Sequence, residues 1–203
     1  MKKLAMLLIA LLAMAACSEE PSKPAQAEKK GPDLLTGRTA FQKMFIQARG
    51  WQRDATPFRL ESQFNADSKG RDGKSAIWRA SFASPLQRSL KVFAWSGTDA
   101  SDAPSRGVSF GTEDTYSPNN SSTLVWDVAF LKVDSDKAFT VAQQHGGDKV
   151  LEKNPDLPVF YSVDWNRAEN ELTWHVIYGN SRDEAKLKVA VNASTGEYLR
   201  VEK

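Results

Sequence analysis

Residues 159–192 constrain the fold more than any other stretch. Val159, Tyr161, Val163 and Trp165 alternate with Phe160, Ser162 and Asp164. A second run alternates Leu172, Trp174, Val176 and Tyr178 with Thr173, His175 and Ile177, and a third alternates Leu187, Val189 and Val191 with Lys188, Ala190 and Asn192. A period of two residues is the mark of a strand half-buried in a sheet. Polar, turn-prone segments separate the runs: 166–170, Gly179-Asn180-Ser181 and Ala193-Ser194-Thr195-Gly196. Tyr198 to Val201 can close the sheet as a short edge strand. This spacing predicts an antiparallel meander with one apolar face. Such a face needs a cover. The preceding segment supplies one, because Ala138, Phe139, Val141 and Ala142 recur at helical spacing behind Ser135, a good N-cap, and ahead of Gly146-Gly147.

The first half repeats this pattern more weakly. Ala40, Phe41, Met44, Phe45 and Ala48 predict a helix that starts near Thr36 or Gly37 and ends at Gly50. Phe58, Leu60 and Phe64 suggest a first strand, and the run Asp67 to Gly73 is a turn. Trp78, Ala80 and Phe82 form the inner face of a second strand; Leu90, Val92 and Ala94 form that of a third. Ala40-Phe41 aligns with Ala138-Phe139, Trp78 with Trp174, Phe82 with Tyr178, and Leu90-Lys91-Val92 with Leu187-Lys188-Val189. The expectation is a tandem duplication. The alternative is one mixed α+β domain whose halves resemble each other by chance. After Trp95 the pattern departs: 96–122 reads as a long polar loop with a short strand at Gly107 to Phe110, and 124–133 reads as this copy's last strand.

Helix followed by antiparallel meander, with Trp174 in a middle strand, the strand Leu187-Lys188-Val189-Ala190-Val191-Asn192 and the turn Ala193-Ser194-Thr195-Gly196-Glu197 after it, resembles the PepSY-like family. The resemblance covers about the last seventy residues well and the first half loosely. It implies a small non-catalytic α+β module of the kind found in peptidase propeptides and envelope proteins, and no catalytic residue. The expected fold class is α+β: two similar units, each a helix packed on an antiparallel β-meander, after a signal peptide and a disordered tether. The expected boundaries are 1–16 for the signal peptide, 17–35 for the tether, 36–133 for a degenerate first unit and 134–203 for the second. On this reading, residues 134–203 fold on their own.

Lys2-Lys3, the apolar run Leu4 to Met14 and the small residues before Cys17 make a leader too short to span a bilayer comfortably. Met14-Ala15-Ala16-Cys17 resembles a bacterial lipobox, in which the cysteine is acylated and the chain is cut before it. The other reading is an ordinary secretory peptide cleaved after Ala16. Cys17 is the single cysteine, so an intrachain disulfide is excluded, and acylation gives an exported thiol a purpose. More than one acyl chain gives firm anchoring. Ser18, not Asp, follows the cysteine; by resemblance to lipoprotein sorting in enteric bacteria this implies the outer membrane, with the inner membrane as the other destination. Ser18 to Asp33 is rich in Pro, Ala, Lys and Glu and reads as a solvated spacer.

The 27 basic residues less Lys2 and Lys3 balance the 25 acidic ones, so no field steers nucleic acid to the mature chain. There are two histidines. His145 ends a helix, where a cation suits the dipole. His175 lies on a polar strand face with Asp164 across from it, and no nucleophile accompanies them. No metal or phosphate motif is present and no cofactor is expected. Arg79, Phe93 and Trp95 are the candidate binding surface, because large apolar residues on a wet sheet face mark an interface. Packing between the two copies, or cover by the long loop, is the alternative explanation and the favoured one. The expected function is a membrane-anchored, non-catalytic periplasmic lipoprotein that binds an envelope protein or wall polymer. The alternative is a peptidase inhibitor or propeptide-like regulator using loop 96–122.

Overall fold

The computed structural model describes residues 31–202, which form one compact unit. The leader, Cys17 and most of the expected tether lie outside the described residues. In chain order the elements are β1 (Leu35–Thr36), α1 (Gly37–Trp51), β2 (Thr56–Ser62), β3 (Lys74–Ser75), β4 (Ile77–Ser84), β5 (Ser89–Ser96), β6 (Gly107–Thr115), α2 (Ser135–Ala142), α3 (Asp148–Lys153), β7 (Val159–Asn166), β8 (Glu171–Tyr178), β9 (Leu187–Asn192) and β10 (Tyr198–Glu202). A wide turn at Gln143–Gly147, with Gly146 at φ 107°, kinks the chain between α2 and α3.

The fold is α+β, with one long helix and a large antiparallel sheet. Eight strands lie in the order β10-β9-β8-β7-β2-β4-β5-β6, and β1 pairs with β3 beside them. The seam between β7 and β2 is short: Arg59 faces Asp164, Leu60 faces Val163 and Glu61 faces Ser162. The helices cover one face. α1 buries Gly37, Ala40, Phe41, Met44 and Ala48, the three-and-four spacing of an amphipathic helix. Phe41 stacks on Phe82 at 5.7 Å and on Trp126 at 5.6 Å. α2 buries Ser135, Ala138, Val141 and Ala142 over β8 and β9.

One hydrophobic core runs under all of this, from Phe93 and Phe82 through Leu60 and Val163 to Val189 and Val191. At its centre the indoles of Trp78 and Trp174 meet edge to face, 6.4 Å apart, both fully buried. Truncating a buried aromatic of this kind costs about 3–5 kcal/mol. Gly37 opens α1 at this point because a Cβ there would lie 2.6 Å from the Trp174 ring and 2.9 Å from the Trp78 ring.

The strand phase read for 159–191 matches the structure: Val159, Tyr161, Val163, Leu172, Trp174, Val176, Tyr178, Val189 and Val191 all join the core. In the first half, β5 has the opposite phase to the one expected. Phe93 faces Ala80 and Trp95 faces Trp78, so both lie under α1. Leu90 sits on the other face, where it packs with Phe58, Ala83, Tyr116 and Val125 in a second, smaller cluster. Phe58 reaches that cluster through a bulge between Pro57 and Arg59. The segment 96–122 is not all loop, because β6 spans nine residues of it and reaches Thr115, five residues beyond the short strand expected. Residues 124–133 hold no strand and carry a short 3-10 turn at Val128–Phe130. Asp134, one residue before the expected cap, is the N-cap of α2. Residues 33–35, expected in the tether, are held: the Asp33 amide donates to Gly97 O at 2.8 Å, and Leu35 pairs with Ser75.

Candidate functional site

Alternation along β7 and β8 puts one set of residues under the helices and the other on the open face. Ser162, Asp164 and His175 belong to the second set, as do Arg59 and Glu61 of β2 by their register. β10 adds Glu202 to the same face. His175 Nε2 lies 3.2 Å from Asp164 Oδ1, and Nδ1 lies 2.8 Å from Glu202 Oε2. The histidine thus ties β7, β8 and β10 together across Ala190, the small residue opposite it on β9. Arg200 donates to the other Glu202 oxygen at 3.3 Å.

The electrostatics follow from this geometry. Burial alone would lower the His175 pKa, but the hydrogen bonds and charges of Asp164 and Glu202 outweigh it and raise the value to about 9. Burial would raise the two carboxyls, yet the His175 hydrogen bond and charge hold both below their ordinary values. Arg59 and Arg182 assist at Asp164; Arg200 and Arg182 assist at Glu202. At neutral pH the ring is an imidazolium donating from both nitrogens. Neither nitrogen keeps a lone pair for proton abstraction, so the group acts as an ionic clamp. The carboxylates sit on opposite sides of the ring and do not converge on a common point. Among the described residues no group of three His, Cys, Asp or Glu side chains is placed to hold a metal ion.

Beside the clamp, β2 and β7 splay apart past the Glu61–Ser162 pair and leave an open cavity of about 370 Å³. Its wall includes Glu61, Phe64, Asp102, Phe160, Ile177 and Arg182. Phe64 and Phe160 lie 6.3 Å apart, and Phe64 is 60% exposed. Arg182, on the turn after β8, donates to Ser162 Oγ. This volume is at the lower end of small-ligand sites.

Arg79, Phe93 and Trp95 do not form a common surface. Arg79 is exposed on the open face, between Glu61 and Ala94. Phe93 and Trp95 are 1% and 6% exposed, under the helix on the opposite face. The physical cause is that β5 is apolar in both phases, so alternation alone did not choose between them. Sequence reasoning missed Glu202 and Arg182. Glu202 was legible in outline, as it shares the parity of Arg200 on the last strand. Arg182 sits in a turn, where no periodic signal exists. Cys17 lies outside the described residues, and among these no helix is long and apolar enough to cross a membrane.

No protein-family model matches the sequence, and no curated protein matches it. A solved structure does: that of a candidate lipoprotein from Clostridium difficile 630, determined by crystallography at 1.85 Å. The superposition covers 87% of this chain and 95% of that one, with a TM-score of 0.52 and 11% sequence identity. At that identity the likeness is one of fold, and the chain is similar in fold to this lipoprotein over nearly its whole length.

Proposed function

We propose that this chain is a lipid-anchored, non-catalytic binding module of the bacterial envelope, held through Cys17 at the periplasmic face of the outer membrane, with an envelope protein or wall polymer as partner. The observation that carries the reading is the fold shared with a candidate lipoprotein, taken with a leader that ends in a lipobox-like run at the single cysteine. The His175 clamp supports the non-catalytic part, since both ring nitrogens are committed to carboxylates. The regulator alternative needs an inserting loop, and the segment assigned to it holds β6.

The same reading makes residues 36–133 and 134–203 two PepSY-like units from a tandem duplication. The chain order supports it, with one helical segment and four strands of the main sheet in each half and the two first strands, β2 and β7, paired at the centre. Trp78 Nε1 donates to Leu35 O at 2.9 Å, and Trp174 Nε1 donates to Val133 O at 2.9 Å. Each acceptor stands two residues before the first residue of its helix.

The test is Cys17→Ser in a bacterial host. The wild type is expected to incorporate an alkyne-tagged fatty acid and to sediment with outer membranes. The variant is expected to lose the label and appear in the soluble fraction. An unlabelled, soluble wild type would overturn the anchor.

A further inference from the structure

A second groove lies at the other end of the sheet, on the helix side, between the last turn of α1 and the β5–β6 edge. It holds about 370 Å³ and is lined by Gln47, Gly50, Trp51, Lys91, Phe93 and Phe110. Phe93 forms the floor, 6.3 Å from Trp51 and 5.8 Å from Phe110 between ring centroids. Phe110 is 65% exposed. A side chain at Gly50 would meet no atom within 4 Å, so that side stands open to solvent. Apolar rings left this accessible on a folded surface mark a contact site.

The polar groups around these rings point to the kind of ligand. Lys91 Nζ lies 5.3 Å from the Trp51 ring centre and 5.1 Å from that of Phe110, a cation resting on two π faces. Its cross-strand neighbour is Glu113, whose Oε2 accepts from Trp51 Nε1 at 2.8 Å. That hydrogen bond first, then the Ser89 hydroxyl, and last the Lys91 charge hold the Glu113 carboxyl below its ordinary pKa against desolvation. Lys91 and Glu113 are of opposite charge, so this pair adds no net charge beside the groove. Gln47 adds an exposed amide, which both donates and accepts.

The adjoining edge does not suit an extended peptide. Glu113 faces Lys91 and Phe110 faces Phe93, so Gly111 and Thr112 together oppose Val92 in a bulge. A bulge in the outer strand, followed by Glu113 and Asp114, breaks the run of free backbone groups that strand addition needs.

We propose that this groove binds a neutral, hydroxyl-rich carbohydrate chain. A sugar ring offers an apolar C–H face for Trp51 and the exposed Phe110, and a rim of hydroxyls for Gln47 and Lys91. The proposal rests on the binding reading above and gives it a ligand class. The test titrates the purified full chain with a soluble N-acetylglucosamine tetramer and with maltotetraose, by calorimetry, alongside Phe110→Ala and Gln47→Ala. Saturable binding of one sugar is expected. Phe110→Ala should weaken it about tenfold, the effect of losing one stacking contact, with an unchanged melting temperature because the ring is exposed. Gln47→Ala, on the solvent side of α1, should also weaken it and stands in if Phe110→Ala fails to fold. Absence of saturable binding to both sugars, or binding indifferent to both substitutions, would overturn the proposal. So would tight binding of a basic peptide that Phe110→Ala abolishes. Lipidation at Cys17 plays no part in this titration, so loss of the anchor and loss of the ligand are read separately.

Discussion

His175 shows how one residue decides the pH range of the fold. Its folded pKa of about 9 stands above the free value of 6.5, so its contribution is fully present below about pH 6.5 and is lost as pH rises through about 9. Asp164 and Glu202 are held below 3.8 and 4.5, so their contributions are present above those values and fade as pH falls through the lower, folded ones. Stability from the clamp should therefore be greatest between about pH 4.5 and 6.5 and decline on both sides. The alkaline limb should amount to at most about 3 kcal/mol, the linkage equivalent of the raised His175 value. Denaturant titrations across that range would measure it. His175→Gln should flatten the alkaline limb; a limb of unchanged size in that variant would remove the clamp from the account.

Among the elements, the two helix starts share one side chain, with Ser135 Oγ accepting from Gly37 N at 2.7 Å beside it. Asp134 Oδ1 accepts from Ser135 N at 2.7 Å, capping α2, and from Arg38 N at 2.8 Å in the first turn of α1. Its Oδ2 accepts from Thr36 Oγ1 at 2.7 Å. Each cap is worth about 0.5–2 kcal/mol, so Asp134→Ala should cost roughly 1–4 kcal/mol, and Asp134→Asn, which keeps an acceptor, should recover most of it. Paired thermal melts would check both. The sequence made α2 legible but hid this joint, because its partners lie ninety-six to ninety-eight residues away. Strands β7 to β9 were legible because Trp174, Val176 and Tyr178 carry bulk in one phase and Thr173 and His175 carry polarity in the other. β5 was not, since Leu90 is apolar in one phase and Phe93 and Trp95 in the other, and each set has its own cover. β6 was read only as far as Phe110. Its remaining residues, Gly111 to Thr115, are exposed polar or glycine positions of an outer strand and carry no alternation of bulk. For the candidate site, the His175–Asp164 pairing was legible from strand parity, whereas the cavity beside it arises from the splay of β2 and β7, which no local pattern encodes.

At the scale of the whole molecule, the sheet and core cross the boundary at 133/134 without a break. Trp174 packs on Trp78 and on Gly37, and β7 has β2 as its outer neighbour. The sequence led to the expectation that 134–203 folds alone; these contacts argue for the opposite outcome. The fragment 134–203 should show no cooperative denaturant transition, and adding 31–133 should restore one. A sigmoidal transition in the fragment by circular dichroism would establish an independent module.

The short seam between β2 and β7 also has a consequence in time. Residues 59–61 find their partners only at 162–164, about a hundred residues later in the chain. As the chain emerges from its N-terminus, the flank of β2 that β7 will occupy stays bare until nearly four-fifths of the polypeptide is available. Pairings so distant in sequence form slowly, and unpaired strand flanks invite association with other chains. The centre of the finished sheet is thus joined by strands far apart in the chain, and the nascent protein is left open along β2 where the mature one is covered.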